Sequence, residues 1–316
     1  MSWLSGIGNG FPLFLSTFVG LAFETVPFLL IGTLLSSLIH VLVPNEVLRG
    51  IFPRSRSLSL LTGLCVGTLV PICECGTVPL ARGLYEKGLP LSTAAAFLLA
   101  APLVNPVTVL STAAAFHGTP RPVFLYRLLL GLAGAFVIAV LIDRRPAVHA
   151  SEGLRPLLAS PVAAHHDPGA RTRGRRAALD RVGEILEHAS HDFLDTARYL
   201  VLGITAASLL RVIVPTEALV SLAASPAAAA GVGLLLAYLL SLCSAADAFV
   251  ARSLLASLPF SATLAFLLLG PMIDLKNTIL LSRFIRAKQL VALVTMVFAV
   301  DFTASVVAWR FLGGGG

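Results

Sequence analysis

Six stretches of this chain, Phe11 to Val43, Pro90 to Phe116, Val123 to Ile142, Ala227 to Cys243, Pro259 to Leu281 and Gln289 to Trp309, are nearly free of charge. Most reach transmembrane length, about 17 residues or more. Nothing else in the sequence constrains the fold as strongly, because backbone in lipid must satisfy its own hydrogen bonds and spans of this length do so as helices. With 57% hydrophobic and 12% charged residues over 316 positions, the chain has too little polar surface to cover a soluble globule. The expected fold class is an all-α integral membrane protein. No Lys or Arg precedes Arg49, and no small-residue cleavage site follows the first apolar stretch, so Phe11 onward reads as mature protein rather than a removed signal.

The net charge of +7 raises the question of nucleic acid, but membrane proteins gather basic residues in the loops that anchor them on the cytoplasmic side. Eight arginines fall between Arg144 and Arg181, in a Pro, Ala, His and Gly-rich stretch without apolar periodicity. This reads as a cytoplasmic linker, and a nucleic-acid partner is not expected. The expected partners are the lipid bilayer and a small-molecule or ion substrate, with a homo-oligomer left open.

The chain also repeats itself. Glu24, Thr25, Gly32, Pro44, Glu46 and Leu48 return as Asp195, Thr196, Gly203, Pro215, Glu217 and Leu219 at a constant offset. Cys73, Ala81, Arg82 and Leu84 return as Cys243, Ala251, Arg252 and Leu254, and Pro90, Ser92, Phe97, Pro102 and Asn105 as Pro259, Ser261, Phe266, Pro271 and Asp274. Two blocks in one order at nearly one spacing mark an internal duplication. The division expected is a first membrane repeat at 1–145, a basic cytoplasmic linker at 146–190 and a second membrane repeat at 191–316.

Placing Arg49, Arg54, Arg56 and the linker on the inside requires an even number of crossings between them. Pro90 to Phe116 and Val123 to Ile142 supply two, so Leu58 to Lys87, apolar only as far as Ile72, reads as re-entrant. Three crossings per half then invert the second half, with Arg283, Arg286 and Lys288 inside, and about 6 to 8 membrane segments in all. The rival arrangement of eight full spans puts a basic loop on the wrong side. Apolar Val182, Ile185, Leu186, Ala189 and Phe193 suggest an interfacial helix leading to Asp195, which places Glu24, its repeat mate, towards an interface as well.

Irregular backbone at membrane depth survives only where protein or a water-filled cavity surrounds it. Four breaks of this kind are expected: Pro71 to Pro79, Ala101 to Pro106, Ser241 to Asp247 and Gly270 to Asp274. Paired interrupted helices in two halves point to a transporter's midplane site. The first break presents Cys73 and Cys75 around Glu74, beside the positive end of a following helix that favours thiolates, and thiolates take soft ions such as Cu(I), Zn(II) or trivalent arsenic. Against this stands the use of cysteine as a small apolar filler, the stronger account for Cys65; Cys243 is intermediate, raised by its match to Cys73. Intramembrane carboxylates are expensive, so Glu24, Glu74, Asp195, Asp247 and Asp274 are candidate ion or proton sites. Each has a plainer alternative: a cap for Asp247, an interface position for Glu24 and Asp195, and an ion pair with Lys276 for Asp274. The site expected is therefore Cys73, Glu74, Cys75, Asn105, Cys243, Asp247 and Asp274 for substrate, Cys73 and Cys75 for a metal, and Glu24 and Asp195 for proton or ion coupling. The histidines lack the spacing of a metal site, and no Walker A loop, Rossmann fingerprint or hydrolase elbow is present. No resident cofactor and no enzymatic activity are expected.

Four stretches carry a family resemblance: Cys-Glu-Cys-Gly-Thr-Val-Pro-Leu-Ala-Arg-Gly at 73–83, Ala-Pro-Leu-Val-Asn-Pro at 101–106, Cys-Ser-Ala-Ala-Asp-Ala-Phe at 243–249 and Gly-Pro-Met-Ile-Asp-Leu-Lys-Asn at 270–277. The chain resembles the bacterial permeases that include the YraQ-like proteins and the ArsP organoarsenical efflux permeases, and its second-half motifs are closer to the YraQ-like branch. Glu74 stands where a small polar residue is more usual in that family, and its charge favours a cationic ligand. The resemblance implies an inner-membrane secondary permease that exports a small thiol-reactive or soft solute by alternating access. A membrane thiol oxidoreductase using the Cys-x-Cys pair, and a passive channel, are the alternatives; the small strained ring that such a pair would close weighs against the first of these.

Overall fold

The computed structural model describes residues 3–53, 55–119, 122–144, 175–214, 219–255 and 257–312. Residues 145–174, the larger part of the basic linker, lie outside the described residues, as do Arg54, Arg121, Pro215, Glu217 and the terminal glycines. Among the described residues the regular elements are helices, with no extended strand.

The first half contributes α1 (Trp3–Leu42), α2 (Asn45–Ile51), α3 (Arg56–Leu69), α4 (Glu74–Glu86), α5 (Leu91–Leu103), α6 (Pro106–Ala115) and α7 (Val123–Asp143). The second contributes α8 (Arg175–Ile213), α9 (Pro226–Leu240), α10 (Asp247–Leu254), α11 (Phe260–Met272), α12 (Leu275–Leu281) and α13 (Ala287–Leu312). Six segments among the described residues are long and apolar enough to cross a bilayer: Gly10–Leu42, Leu91–Ala115, Val123–Asp143, Arg181–Ile213, Phe260–Leu281 and Ala287–Phe311. Three belong to each half. The chain is an all-α, multi-pass membrane protein. α3 and α9, with 14 and 15 residues, extend only about 21 to 23 Å, short of the ~30 Å hydrocarbon core. α8 is one uninterrupted helix from the arginine-rich residues through residue 190 into the membrane, and it contains the apolar set from Val182 to Phe193.

Local chemistry sets where the helices start. Pro90, Pro122 and Pro259 stand at the N-caps of α5, α7 and α11, where the ring disfavours helical geometry in the residue before it. Pro106 and Pro226 occupy the first turns of α6 and α9, where a missing N–H costs nothing. α9 ends on Ser241, the one non-glycine among the described residues with a positive φ (48°), and the chain turns there into the break before α10.

α5 and α11 form the centre. Every residue from Ser92 to Leu103 and from Phe260 to Met272 is buried, and the repeat mates Phe97 and Phe266 are among the largest wholly enclosed side chains. The two helices touch each other, with α7 and α13 also against them. Around this pair, α1, α8 and α13 turn apolar side chains such as Phe23, Leu202 and Val291 outward, the surface that lipid requires. The halves repeat this packing closely. α3 crosses α5 where Gly63 meets the carbonyl of Thr93, and α9 crosses α11 where Gly233 meets that of Ala262; a Cβ at either glycine would strike backbone.

Candidate functional site

The four breaks expected from the sequence are where the helices stop. Residues 70–73 separate α3 from α4, Val104 and Asn105 separate α5 from α6, residues 241–246 separate α9 from α10, and Ile273 and Asp274 separate α11 from α12. The two central helices are thus each interrupted near one end, and a short helix begins beside each interruption.

Across these breaks the halves exchange charges. Glu74, the first residue of α4, accepts a hydrogen bond at Oε1 from Lys276 Nζ of α12 at 3.0 Å, and Lys276 also lies 3.5 Å from Asp274 Oδ2. Asp274 Oδ1 caps α12 by accepting from the Asn277 backbone N–H. Glu74, Asp274, Lys276 and Asn277 are at most 2% exposed. Beside them, Cys75 lies against Cys73 and within the fields of Lys276 and Glu74. Cys243 sits next to Glu24 of α1, with Glu74 acting on it as well. All four cysteines are free thiols. A second buried pair joins the halves in the opposite sense. Arg127 of α7 grips Asp247 of α10 with Nη1–Oδ1 at 3.0 Å and Nη2–Oδ2 at 2.9 Å, and also donates to Thr112 Oγ1 and the Ser244 carbonyl.

α1 and α8 hold these segments by close backbone contact. A Cβ on Gly32 would strike the backbone of Gly76 at 2.5 to 2.9 Å, and one on Gly203, its repeat mate, would meet the backbone of Lys276 at 2.8 to 3.4 Å. Ser36 of α1 donates to the Pro79 carbonyl within α4. The two glycines therefore set how near the long helices come to the charged centre.

Of the residues singled out from the sequence, Cys73, Glu74, Cys75, Cys243, Asp274 and Glu24 lie in or beside this centre, and Asp247 flanks it through its own ion pair. Asn105 does not join them. Its amide caps α6, accepting from Thr108 N–H at 2.9 Å and donating to the Ala101 carbonyl at 3.0 Å. Asp195 is also apart: its partly exposed carboxylate bridges Arg198 at 2.5 Å and Arg283 at 3.1 Å. Lys276 and Arg127, which pair with the carboxylates Glu74, Asp274 and Asp247, are not among the site residues expected from the sequence. The signal was present, since a cation inside an apolar span is as costly as a carboxylate and asks for the same explanation.

The centre has more acceptors than donors. Glu74 Oε2 and Asn277 Oδ1 are buried without a hydrogen-bond donor, and Asp274 Oδ2 has only the Lys276 ammonium at 3.5 Å, a costly state for oxygens that a further cation or a donor-bearing solute would relieve. Among the described residues no group of three or more His, Cys, Asp and Glu side chains is arranged to hold a metal ion, so the two thiols form a pair rather than a closed tetrahedral site. One helical turn from this centre, on the same faces as Cys75 and Asn277, Val78 and Leu281 help line a cavity of about 260 Å³. Its walls are mostly apolar, including Leu98 and Phe284, with Arg82 and Lys288 among the few polar groups.

A family model described as a predicted permease, ArsP_1, matches residues 11–309. The chain belongs to that family. It is 33% identical over 291 residues to the UPF0718 protein YcgR of Bacillus subtilis, covering 92% of this chain and 95% of that one. A Streptococcus mutans protein, provisionally named a two-component membrane permease complex subunit, is 34% identical over 274 residues, 87% of each chain. The UPF0718 protein YraQ of Escherichia coli is 28% identical over 114 residues, 36% of this chain and 32% of that protein. No solved structure matches the chain. Membership of a predicted-permease family, together with six spans and a polar centre enclosed between them, assigns a membrane transporter role.

Proposed function

We propose that this permease is an inner-membrane secondary transporter that exports a small thiol-reactive or soft solute by alternating access between two inverted halves, with its basic linker in the cytoplasm. The observation that carries this reading is the Glu74–Lys276 pair, which joins the break of one half to the break of the other in a space closed to solvent. Discontinuous helices meeting at a buried polar centre are the arrangement a carrier needs, because the exposed backbone and charges there can serve a solute and not lipid.

Two neighbouring thiols suit a cargo that supplies its remaining ligands itself, such as a monosubstituted trivalent arsenical, whose organic group the apolar cavity beside Val78 and Leu281 would accept. Glu74 Oε2, buried beside these thiols without a hydrogen-bond donor, attracts positive charge. A name given to the Streptococcus mutans relative supports assembly with a second membrane protein, which co-purification from the native host would reveal.

The test is growth of a deletion strain challenged with trivalent organoarsenicals, copper and zinc. Resistance to at least one should return with the wild-type chain and be lost with Cys73→Ser or Cys75→Ser at equal membrane abundance. Unimpaired resistance in both variants would remove the thiols from the mechanism.

A further inference from the structure

One intramembrane carboxyl belongs to none of the pairs above. Asp301 lies near the middle of α13, about 21 Å along the helix from Ala287 and about 17 Å from Leu312. It is wholly buried and neither of its carboxyl oxygens has a hydrogen-bond partner; Ser305, one turn further on, is equally buried with its hydroxyl unpaired. The carboxyl abuts α7 at Gly134, where a methyl group would stand 3.6 Å from Oδ1 and 3.6 Å from the terminal carbon of Met272 on α11.

The charged and titratable groups on the helices packed around α13 are engaged elsewhere. On α7, Arg127 holds Asp247, Tyr126 packs edge-on against Phe260 and Asp143 accepts from Ser92. Tyr238 of α9 bonds Thr278, Lys276 of α12 sits between Glu74 and Asp274, and α11 carries no such group. Lys288 and Arg310 lie near the ends of α13 itself, 13 and 9 positions away in sequence. Among the described residues none of these groups hydrogen-bonds to Asp301. A carboxylate ion with neither donor nor counter-charge is far more costly in such a place than the neutral acid, so this packing holds Asp301 as the acid.

We infer that Asp301 is a proton-binding site of the permease, loaded while α7 and α13 are closed at Gly134 and unloaded when they part. The carboxyl O–H bond then breaks, the proton passes to water, and it is regained from water once the other face opens. This gives the coupling role to a residue outside the Glu24 and Asp195 pair, and it rests on the permease reading for the use to which the proton is put.

Infrared spectra of the full chain in lipid nanodiscs at neutral pH test the site without a cargo. The wild type should show a carboxylic-acid carbonyl band that Asp301→Asn removes and Asp301→Glu moves, and that band should shift after transfer to D2O. Asp301→Glu identifies the band if Asp301→Asn accumulates poorly. A spectrum in this region that neither substitution alters overturns the buried acid. A band that never shifts in D2O overturns proton exchange and leaves an inert structural acid. Because neither readout involves transport, failure to find a cargo would count against the permease reading and not against this site.

Discussion

Lys276 stands between Glu74 and Asp274 with almost no contact with solvent, and among the described residues its ammonium is the only side-chain donor to the Glu74 carboxylate. Removing one member of a buried pair leaves the other charge uncompensated, at a cost of about 3 to 5 kcal/mol, whereas removing both together is often close to neutral. Lys276→Met should therefore lower the thermal unfolding temperature sharply, and Lys276→Met combined with Glu74→Gln should recover only part of the loss, because Asp274 keeps its buried charge without a cation. Fluorescence-detected unfolding in detergent measures both. Transport should be absent in either protein, since the double variant restores packing but not the charges that meet the solute. If Lys276→Met alone were as stable as wild type, the carboxylates would be held neutral and the centre would have no ionic character.

At the scale of elements, the two interrupted central helices look equivalent in sequence but use their polar caps differently. Asn105 and Asp274 are repeat mates, each beside a proline-induced break, and each caps the short helix that follows. Asn105 uses its amide entirely within its own turn, while Asp274 keeps a second oxygen for Lys276. Asn105→Ala should cost about 1 kcal/mol for the lost cap and leave the substrate preference unchanged, whereas Asp274→Asn should keep the cap and impair transport. A growth assay alongside an unfolding measurement separates the two. The breaks, the repeat and the carboxylates were legible in the sequence, because proline and charge inside apolar runs are local signals. Partners were not legible. Nothing local tells that Lys276 reaches Glu74, 202 positions away, or that Arg127 reaches Asp247, 120 positions away, since those contacts exist only once α4 and α12, and α7 and α10, are packed. The same limit holds for Asn105 and Asp195: symmetry in sequence fixes where a residue sits in its half, but not whether the opposite half comes to meet it.

At the scale of the molecule, the most deeply buried ion pairs between the halves among the described residues are two of opposite polarity, Glu74 with Lys276 and Arg127 with Asp247. In each, one half contributes the start of a short helix after a break and the other contributes a cation. A carrier must separate such contacts in turn, so the closed arrangement is expected to open more readily when either is weakened. Cys75, at 1% exposed, reports on this because a thiol enclosed to that degree reacts only when the protein opens. In a Cys65→Ser background, Asp247→Asn should speed maleimide labelling of Cys75, resolved by mass spectrometry, by about tenfold for each 1.4 kcal/mol by which the closed state is weakened. Arg127→Met together with Asp247→Leu removes both charges and should label more slowly than Asp247→Asn, because no unpaired guanidinium is left between α7 and α10. Equal rates in wild type and Asp247→Asn would mean that the Arg127 pair only fastens α10 to α7, and that opening at Cys75 is governed on the Glu74 side alone.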